Sequence, residues 1–453
     1  MSQYKPYLAY KESGVAWLGQ VPAHWAVCKL SFRYSIELGK MLDEKKLTKT
    51  SLIPYLRNQD VQWDRINTYD LPEMDIHPEE LDRYTIRHGD LLVCEGGDVG
   101  RAAIWRGENA VFGYQKALHR LRHRSPSEDT AAFFFFSLLT AKQRGVFEES
   151  DSKATIAHLP AEKFRQYRFA FPPLDEQNAI AAKLDRETAR IDALIEKKTR
   201  FIDLLSEKRQ AVITHAVTKG LDPNVKMKDS GVEWLGDVPE HWATMSLARV
   251  TVARCDGPFG SAIKSENYTD SGIRVIRLQN IGSGEFRDDN QAFLSPEYLA
   301  EVIGHSHDVK PGDLLIAGLG DENNPLGRTC VAPNLLGEAI VKADCYRFRV
   351  NRKRVLPAFL ALQLSSTARI ECGFISTGST RERLNLGLAA SRVIALPPSI
   401  DEQFALVEWV SLASKRLEAL LSKTKRSMDL LKERRAALIT AAVTGQIDLR
   451  EPA

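Results

Sequence analysis

The sequence predicts an α+β protein in which two mixed α/β domains are separated by two long antiparallel helices that pair as a coiled coil. Two repeats predict this fold. A long helical pattern at Asp175–Thr218 returns 226 residues later (401 − 175 = 226), starting at Asp401, and a tryptophan-containing loop at Ser13–Trp25 returns at Ser230–Trp242. Because both repeats occur in the same order, the chain is predicted to be a tandem duplication with pseudo-twofold symmetry.

The tryptophan loops come first in each copy. They read SGVAWLGQVPAHW at Ser13–Trp25 and SGVEWLGDVPEHW at Ser230–Trp242, with glycine and proline at turn positions. We expect His24 and His241 to pack beside the tryptophans rather than to bind a metal. Since the second loop directly follows the first helix, pseudo-symmetry predicts that the first loop lies near the end of the second helix.

A mixed region follows each loop. Strand-like alternation, glycine-containing turns and then a helix predict an α/β domain in each half. The segments are Ser51–Ile66, Tyr84–Trp105 and Thr130–Gly145 in the first half, and Gly272–Phe286, Val309–Ala332 and Pro357–Cys372 in the second. We expect domains at residues 1–170 and 221–395, and helical segments at 171–220 and 396–453. Outside the shared motifs the two regions differ strongly, as expected of modules that bind different ligands.

The helices share their start signals and their apolar spacing. FPPLDEQ at Phe171–Gln177 and LPPSIDEQ at Leu396–Gln403 place a proline pair before an acidic first turn, which favours a helix N-terminus. Apolar residues then follow one narrow face in steps of seven, four and three: Leu184, Ile191, Ile195, Ile202, Leu205, Val212 and Ala216, matched by Val410, Leu417, Leu421, Met428, Leu431, Leu438 and Ala442. A narrow seam needs a partner helix, so we expect the two helices to pair.

The helices are also predicted to act as a spacer. About 44 residues at 1.5 Å per residue give a length of roughly 65 Å. Basic runs lie on their exposed faces at Lys197–Arg200, Lys423–Arg426 and Lys432–Arg435. These runs are typical of an ordinary coiled-coil flank, and the other interpretation is a docking face for acidic partners or the DNA backbone.

Composition is that of an ordinary soluble protein, with 43% hydrophobic and 27% charged residues. The net charge of +3 is too small to predict a nucleic-acid partner, so local clusters must carry that inference. The six cysteines show no CxxC pair and no Cys/His metal spacing, which indicates reduced thiols in a cytoplasmic protein. The N-terminus lacks the apolar core of a signal peptide. The most apolar run, Ala131–Leu139, is far shorter than the ~20 residues of a membrane span and predicts a buried helix.

Catalytic motifs are missing from the sequence. It contains no Asp/Asn-Pro-Pro-Tyr/Phe motif for amino-methylation of bases, no Walker loop, no zinc-hydrolase helix and no GxSxG elbow. Gly318–Gly320 and Glu95–Gly97 lack the spacing of a cofactor loop. His119 and His123 are four apart in a strand-like segment, where they make a poor ligand pair. We therefore predict a non-catalytic chain without a cofactor or metal site.

Basic and amide side chains give the stronger functional signal. Arg57-Asn58-Gln59 and Arg277-Leu278-Gln279-Asn280 follow matching strand-like segments, and their side chains match guanine and adenine edges. Lysine and arginine also neutralise phosphates, although for any single residue a solvated surface charge is the alternative. The DNA-binding candidates are Arg57, Asn58, Gln59, Arg101, Lys116, Lys153, Thr155, Arg277, Gln279, Asn280, Arg328, Thr380, Arg381 and Arg383.

Four motifs together resemble the specificity subunit of type I restriction–modification systems. They are PPLDEQ opening a long heptad helix, the closing LITAAVTG at Leu438–Gly445, the tryptophan loop, and GDLL at Gly89–Leu92 and Gly312–Leu315. The combination covers essentially the whole chain. One departure is Lys219-Gly220, where the second copy has Gly445-Gln446, and it concerns the local turn alone.

The resemblance implies two target-recognition domains, each reading one half of a split site in double-stranded DNA. It also implies that the helices set the gap between the half-sites. The implied partners are two modification subunits, which carry S-adenosylmethionine and methylate adenine, and restriction motor-nuclease subunits. Methyl transfer and cleavage then belong to the partners, and this chain carries no cofactor of its own.

Three other interpretations stay open at this point. The same modules occur in fused, type II-like restriction–methylation systems, which would change the partners more than the DNA role. A coiled-coil scaffold with protein-binding domains belongs to a different class, and steep salt dependence of DNA binding would distinguish it. A standalone enzyme is disfavoured by the missing motifs. The recognised bases and the gap length do not follow from the sequence.

Overall fold

The computed structural model describes residues 4–42, 48–107, 111–148, 158–258, 262–334, 337–375 and 383–450. The chain divides into two compact units. The first unit comprises Met1–Lys198 and Arg426–Ala453, and the second comprises Thr199–Lys425. Each unit therefore combines one mixed domain with a stretch of both long helices.

The elements are given in chain order. In the first half they are β1 Tyr10–Glu12, β2 Gln20–Pro22, β3 Ala26–Lys29, α1 Leu30–Arg33, β4 Tyr34–Leu38, β5 Leu52–Leu56, β6 Val61–Gln62, β7 Arg65–Ile66, β8 Glu73–Asp75, α2 Leu81–Tyr84, β9 Leu91–Cys94, β10 Ala102–Ile104, β11 Gly113–Tyr114, β12 Leu118–His123, α3 Ala131–Gln143, α4 Ala161–Phe164, β13 Arg168–Phe171 and α5 Leu174–Lys219.

In the second half they are β14 Met227–Asp229, β15 Asp237–Pro239, β16 Ala243–Ser246, β17 Thr251–Cys255, β18 Ile273–Ile276, β19 Phe293–Leu294, α6 Pro296–Tyr298, β20 Asp308–Val309, β21 Leu314–Ala317, β22 Thr329–Val331, β23 Ala339–Val341, β24 Cys345–Val350, α7 Pro357–Ile375, α8 Leu386–Ser391, β25 Val393–Leu396 and α9 Ile400–Val443. No helix in the described ranges is both long and apolar enough to cross a lipid bilayer.

The same strand order occurs in both units, which confirms the predicted duplication. A four-stranded antiparallel sheet has the order β10-β9-β12-β4 in the first unit and β22-β21-β24-β17 in the second. A second sheet contains one parallel pair in each unit, β5 with β11 and β18 with β23. Two short antiparallel pairs also recur, because β1-β2 and β3-β13 match β14-β15 and β16-β25.

The core of each mixed domain lies between its four-stranded sheet and its domain helix. In the first unit, α3 buries all four phenylalanines of Phe133–Phe136, and α3 contacts β10. This confirms that the apolar run forms a buried helix. The helix is buried on every side because side chains of the sheet, the tryptophan loop and α9 surround it. All of them belong to one continuous hydrophobic core. In the second unit, α7 occupies the equivalent place against β22.

The long helices run antiparallel, as predicted. In the first unit, Arg435 Nε lies 2.9 Å from Asp192 Oδ1. In the second unit, Arg209 Nη2 lies 2.8 Å from Glu418 Oε1. Within the first unit, Glu176 lies near Arg450 and Asp192 lies near Arg435, so α5 advances along the chain while the segment that contains α9 runs the opposite way. Ile191 is buried in the first unit, as Leu205 is in the second. The narrow apolar seam is therefore formed by these two helices.

Each long helix ends in a glycine with a positive φ angle. Gly220 follows α5 with φ +78°, and Gly445 lies two residues after the end of α9 with φ +72°. A residue in the left-handed conformation after a helix lets the following N–H groups bond to the last helical carbonyls. Glycine adopts this conformation without strain. A Cβ on Gly445 would also collide with Pro22. The sequence departure at Lys219 is therefore a shift of the cap by one residue, and Lys219 Nζ donates to Leu235 O at 3.0 Å.

Candidate nucleic-acid interface

The tryptophan loop of the first unit is held by a carboxylate in the first turn of α5. Glu176 accepts hydrogen bonds from Tyr7 Oη at 2.6 Å and from Trp25 Nε1 at 2.9 Å, and it lies 2.8 Å from His24 Nε2. Arg450 Nη1 lies 3.4 Å from the same carboxylate. Burial, together with the hydrogen bond to Glu176, raises the pKa of Tyr7 far above its usual value, so the phenol remains a donor.

The second unit repeats this arrangement in a more exposed form. Glu402, in the first turn of α9, accepts from Trp242 Nε1 at 2.9 Å and lies 3.1 Å from His241 Nε2. His24 and His241 therefore pack beside their tryptophans, as predicted, and each also contacts a glutamate that the sequence analysis left unassigned. The signal for that contact is the Asp-Glu-Gln motif at both helix starts.

The tryptophan loop of the first unit also meets the end of α9, as pseudo-symmetry predicts. Trp25 shares a core with Ala441 and Val443 of that helix. The main-chain N–H of Asp448 donates to Lys5 O at 2.8 Å, so the first described residues pair with the last ones. Each loop therefore joins the N-terminal end of one long helix to the C-terminal end of the other within its own unit.

The glutamine of each Asp-Glu-Gln motif joins the long helix to the mixed domain. Gln177 accepts from the Thr130 N–H at 3.0 Å and donates to Pro172 O and Glu128 O at 2.9 and 2.8 Å. Gln403 accepts from the Leu356 N–H at 2.7 Å and donates to Pro397 O and Arg354 O. Both glutamines are buried. They fix the start of the domain helix against the start of the long helix.

The candidate residues with the amide side chains lie on one repeated turn. A single 3₁₀ turn follows β5 at Asn58–Asp60 and follows β18 at Leu278–Asn280. The Arg57 N–H donates to Asp60 Oδ2 at 2.8 Å, and the Arg277 N–H donates to Asn280 Oδ1 at 3.0 Å. This exchange closes the turn in the same way in both units.

An arginine supports each turn from inside the domain. Arg101 Nη2 donates to Asn58 O at 3.0 Å and to Asn58 Oδ1 at 2.9 Å. Arg328 Nη2 donates to Leu278 O at 2.8 Å, while its Nε donates to Ile281 O at 2.7 Å. Both arginines directly follow a glycine, in Gly100-Arg101 and in Gly327-Arg328, so the same dipeptide supports the turn in each half. We call each turn with its supporting arginine a clamped turn.

Four of the predicted DNA contacts make hydrogen bonds within the fold, and two of these four, Arg328 and Asn280, are buried and correct the prediction. Arg328 is 4% exposed and Asn280 is 0% exposed, so neither side chain reaches a ligand. Asn58 donates to Gly96 O at 3.0 Å, and its side-chain oxygen accepts from Arg101. The guanidinium of Arg101 points at the turn rather than at a phosphate. Residue type singled out this turn but did not predict the direction of these side chains.

The remaining ten candidates fall into three groups: arginines with a partner in the fold, exposed side chains, and residues outside the described ranges. Arg57 pairs with Asp60 at 2.8 Å, and Arg277 lies over the ring of Tyr268 at 5.8 Å. Arg383 pairs with Asp344 at 2.7 Å, which raises the pKa of the guanidinium. Gln59, Gln279 and Lys116 are exposed. Lys153, Thr155, Thr380 and Arg381 lie outside the described residues.

The structure adds polar groups that the sequence analysis missed. Beside the first turn, His158 Nε2 lies 3.1 Å from Glu95 Oε1, and burial raises the pKa of Glu95. Near the second turn, Lys342 Nζ donates to Tyr268 Oη at 2.9 Å. No spacing in the sequence links these residues, because they come from different strands and loops. The two turns are alike, whereas their surroundings differ.

His119 and His123 both lie in β12, which confirms the predicted strand. His119 is fully buried and its Nε2–H donates to Leu159 O at 2.7 Å. Its Nδ1 is buried without a partner among the described residues. Burial lowers the pKa of His119 to about 4. The imidazole is therefore neutral in the folded domain and supports the segment that precedes α4.

This histidine predicts acid sensitivity of the first domain. In the unfolded chain the His119 imidazole binds a proton near pH 6.5, whereas in the folded domain it does so only near pH 4. The contribution of the neutral imidazole to the free energy of unfolding is therefore fully present above pH 6.5 and is lost as the pH falls towards 4. A shift of this size corresponds to about 3 kcal/mol. Replacing His119 with glutamine, which cannot titrate, should flatten the unfolding free energy of the first unit between pH 6.5 and 4. An identical pH dependence in wild type and variant would contradict this assignment.

Comparison with known proteins agrees with this architecture. Residues 25–202 match the family model of the type I restriction modification DNA specificity domain. The chain is 23% identical over 366 residues to the MjaVIII specificity subunit of Methanocaldococcus jannaschii, covering 80% of this chain and 79% of the relative. It is 24% identical over 400 residues to the EcoBI specificity subunit of Escherichia coli, covering 87% and 80%.

Solved structures show the same fold. One comes from work on complex assembly and conformational transition of the type I R-M system. Its TM-score is 0.71 at 14% identity, and the match covers 94% of this chain and 99% of that one. The HsdS subunit from Thermoanaerobacter tengcongensis has a TM-score of 0.57 at 15% identity, with 94% and 98% coverage.

The first mixed domain therefore matches a DNA specificity domain, and the second mixed domain repeats its strand order. The particular resemblance inferred from the motifs is confirmed as well, since the chain is similar over most of its length to the specificity subunits of type I restriction–modification systems.

Proposed function

We propose that this chain is the DNA-specificity subunit of a type I restriction–modification complex, and that each mixed domain reads one half of a bipartite duplex target. One observation carries the proposal: the clamped turn occurs at the same place in both domains, with different polar groups around it. The same clamped turn would place each domain on the duplex in the same orientation. The different polar side chains around the turn would then select different bases. Gln59, Lys116 and His158 belong to the first surface, and Gln279, Tyr268 and Lys342 to the second.

The long helices are assigned two tasks in this proposal. Their pairing sets the number of unread base pairs between the half-sites. Their surfaces also carry large exposed apolar side chains, Leu194 and Leu430 in the first unit and Phe201, Leu204 and Leu412 in the second. Large apolar side chains exposed on a charged helix are typical of protein–protein interfaces. We assign these side chains to the docking of two modification subunits, which supply S-adenosylmethionine and adenine methylation. Restriction motor-nuclease subunits complete the complex.

The complex is proposed to act in the cytoplasm. All six cysteines are free, and burial raises the pKa of Cys94, Cys330 and Cys345, so these thiols stay protonated at neutral pH. Free cysteines suit a reducing compartment. The thiols of Cys94, Cys330 and Cys345 are therefore poor nucleophiles at neutral pH.

An exchange of one domain tests the proposal. Residues 26–170 are replaced by the equivalent segment of a relative with a known bipartite target, and the chain is expressed with its cognate modification subunits. Methylome sequencing is expected to show one altered half-site, with the other half-site and the gap unchanged. The matched control exchanges residues 243–395 and is expected to alter the other half-site alone.

Three results would count against this function. If both half-sites change after either exchange, the domains do not read independently. If neither exchange changes the methylated motif, the mixed domains do not select sequence, and the protein-binding scaffold is the better reading. DNA binding that is independent of salt concentration would point in the same direction, because phosphate contacts lose affinity steeply with salt.

A further inference from the structure

The clamped turn holds the main chain around one exposed side chain in a fixed position. In the first domain, the Asp60 N–H donates to Arg57 O at 3.0 Å, and the Asn67 N–H donates to Asp60 O at 2.8 Å. In the second domain, the Asn280 N–H donates to Arg277 O at 2.8 Å, and the Arg287 N–H donates to Asn280 O at 2.9 Å. With the supporting arginine, the main chain is anchored before, within and after the turn.

One residue of the turn is exposed in both domains, and it is glutamine each time. The flanking positions are half-buried or buried, because Asn58 and Leu278 face inward and Asp60 and Asn280 close the turn. The side-chain amide of Gln59 has no hydrogen-bond partner among the described residues. The amide of Gln279 makes one long contact, 3.4 Å from Nε2 to Asn290 O. Both amide oxygens are therefore open to a ligand.

The amide group matches one base better than the others. A glutamine amide donates to N7 and accepts from the N6 amino group of adenine at the same time, in the major groove. Such a two-point contact needs a side chain whose main chain is already positioned, since a small displacement breaks one of the two bonds. The clamped turn provides that positioning in both domains.

We propose that Gln59 and Gln279 are specificity-determining residues, each reading one A·T pair in the half-site of its own domain. Arg101 and Arg328 are positioning residues, which act on DNA through the turn and do not touch it. This inference rests on the proposed function. It replaces the broad set of basic and amide candidates with one base-reading side chain in each domain.

Single substitutions in the full complex test the proposal. Gln59→Ala is expected to relax one A·T position of the first half-site in the methylome, with discrimination there reduced roughly 5- to 150-fold. The second half-site should remain intact. Gln279→Ala is expected to do the same in the second half-site. Because both side chains are exposed, the melting temperature of each variant should equal that of the wild type.

A matched control variant is available near the second turn. Gln291 is exposed, and its amide donates to Asp288 Oδ2 at 3.0 Å. Because that amide is used within the domain, Gln291→Ala should leave the methylated motif unchanged. This variant shows whether loss of a neighbouring glutamine relaxes the target.

The positioning role predicts a different pattern for Arg101. Arg101→Ala should relax the same A·T position as Gln59→Ala, and the double variant should relax it no further. Lysine at position 101 should restore part of the discrimination, because an ammonium still donates to Asn58 O. A purely structural arginine would instead reduce methylation at all sites equally, which would overturn this role.

Other results would overturn the base-reading role. They are an unchanged motif after both glutamine substitutions, a uniform loss of methylation with the motif intact, or relaxation at a G·C position. These failures differ from failure of the proposed function. If the domain exchange alters one half-site while the glutamine variants do not, the inference about these two residues is wrong and the function stands.

Discussion

Replacing Glu176 with alanine is expected to lower the free energy of unfolding of the first unit by about 3–5 kcal/mol. The carboxylate is 3% exposed and accepts from two buried donors, Tyr7 Oη and Trp25 Nε1. Alanine would leave both donors unpaired in a core that excludes water, and each such donor costs about 1–3 kcal/mol. It would also leave Arg450 with Asp448 as its remaining acidic partner. The change is measured as a shift in the midpoint of denaturant-induced unfolding.

The repeat supplies the control for this prediction. Glu402 makes the equivalent contact to Trp242, but its side chain is 33% exposed, and water can replace the lost carboxylate. Glu402→Ala should therefore cost about 1 kcal/mol. Glu176→Gln keeps an oxygen acceptor, so its loss of unfolding free energy should lie between those of Glu176→Ala and Glu402→Ala. Equal losses from the two alanine variants would show that burial does not determine the strength of this contact.

Replacing Arg328 with alanine is expected to have a comparable effect, of about 3–5 kcal/mol, on the second unit. Three nitrogens of this guanidinium donate to main-chain carbonyls, including those of Ile281, Leu319 and Leu278 at 2.7–2.9 Å. Burial lowers the pKa of Arg328, and the guanidinium donates to main-chain carbonyls rather than to a carboxylate. Without the arginine, these buried carbonyls lose their donors and the second clamped turn loses its support.

The functional readout of this variant is confined to one half of the target. Methylome sequencing should show loss of the second half-site, whereas the first half-site should be read as before. Arg101→Ala is the matched variant in the other domain. Arg101 is only half-buried and binds the turn through one nitrogen, so its stability cost should be smaller. Loss of both half-sites from Arg328→Ala would indicate general unfolding instead.

The large-scale organisation was predictable because it follows from repetition and spacing. Two matching apolar seams indicate paired helices, and the pairs Asp192–Arg435 and Arg209–Glu418 agree with that. The order of motifs also placed the first tryptophan loop near the end of α9 correctly. These features can be predicted from the spacing of apolar residues and the order of repeated motifs alone. They do not depend on which hydrogen bonds an individual side chain makes.

The direction of individual side chains was not predictable. Arg328 and Gln279 are both polar residues in repeated motifs, yet one is buried beneath the turn and the other lies on its outer side. That difference depends on which carbonyls the fold leaves unpaired, and the strand partners that decide this are distant in sequence. Glu176 was missed for a similar reason, since its contacts to Tyr7 and Trp25 span more than 150 residues.

The contacts of Gln177 and Gln403 have a consequence for how such chains diversify. Each glutamine joins its domain mainly through backbone groups, at Thr130 and Glu128 in the first case and at Leu356 and Arg354 in the second. Main-chain carbonyls are present whatever residue a gene encodes there, and main-chain N–H groups are present for every residue except proline. We therefore expect that a foreign mixed domain introduced by recombination would find the same attachment point, without any matching change in the two long helices.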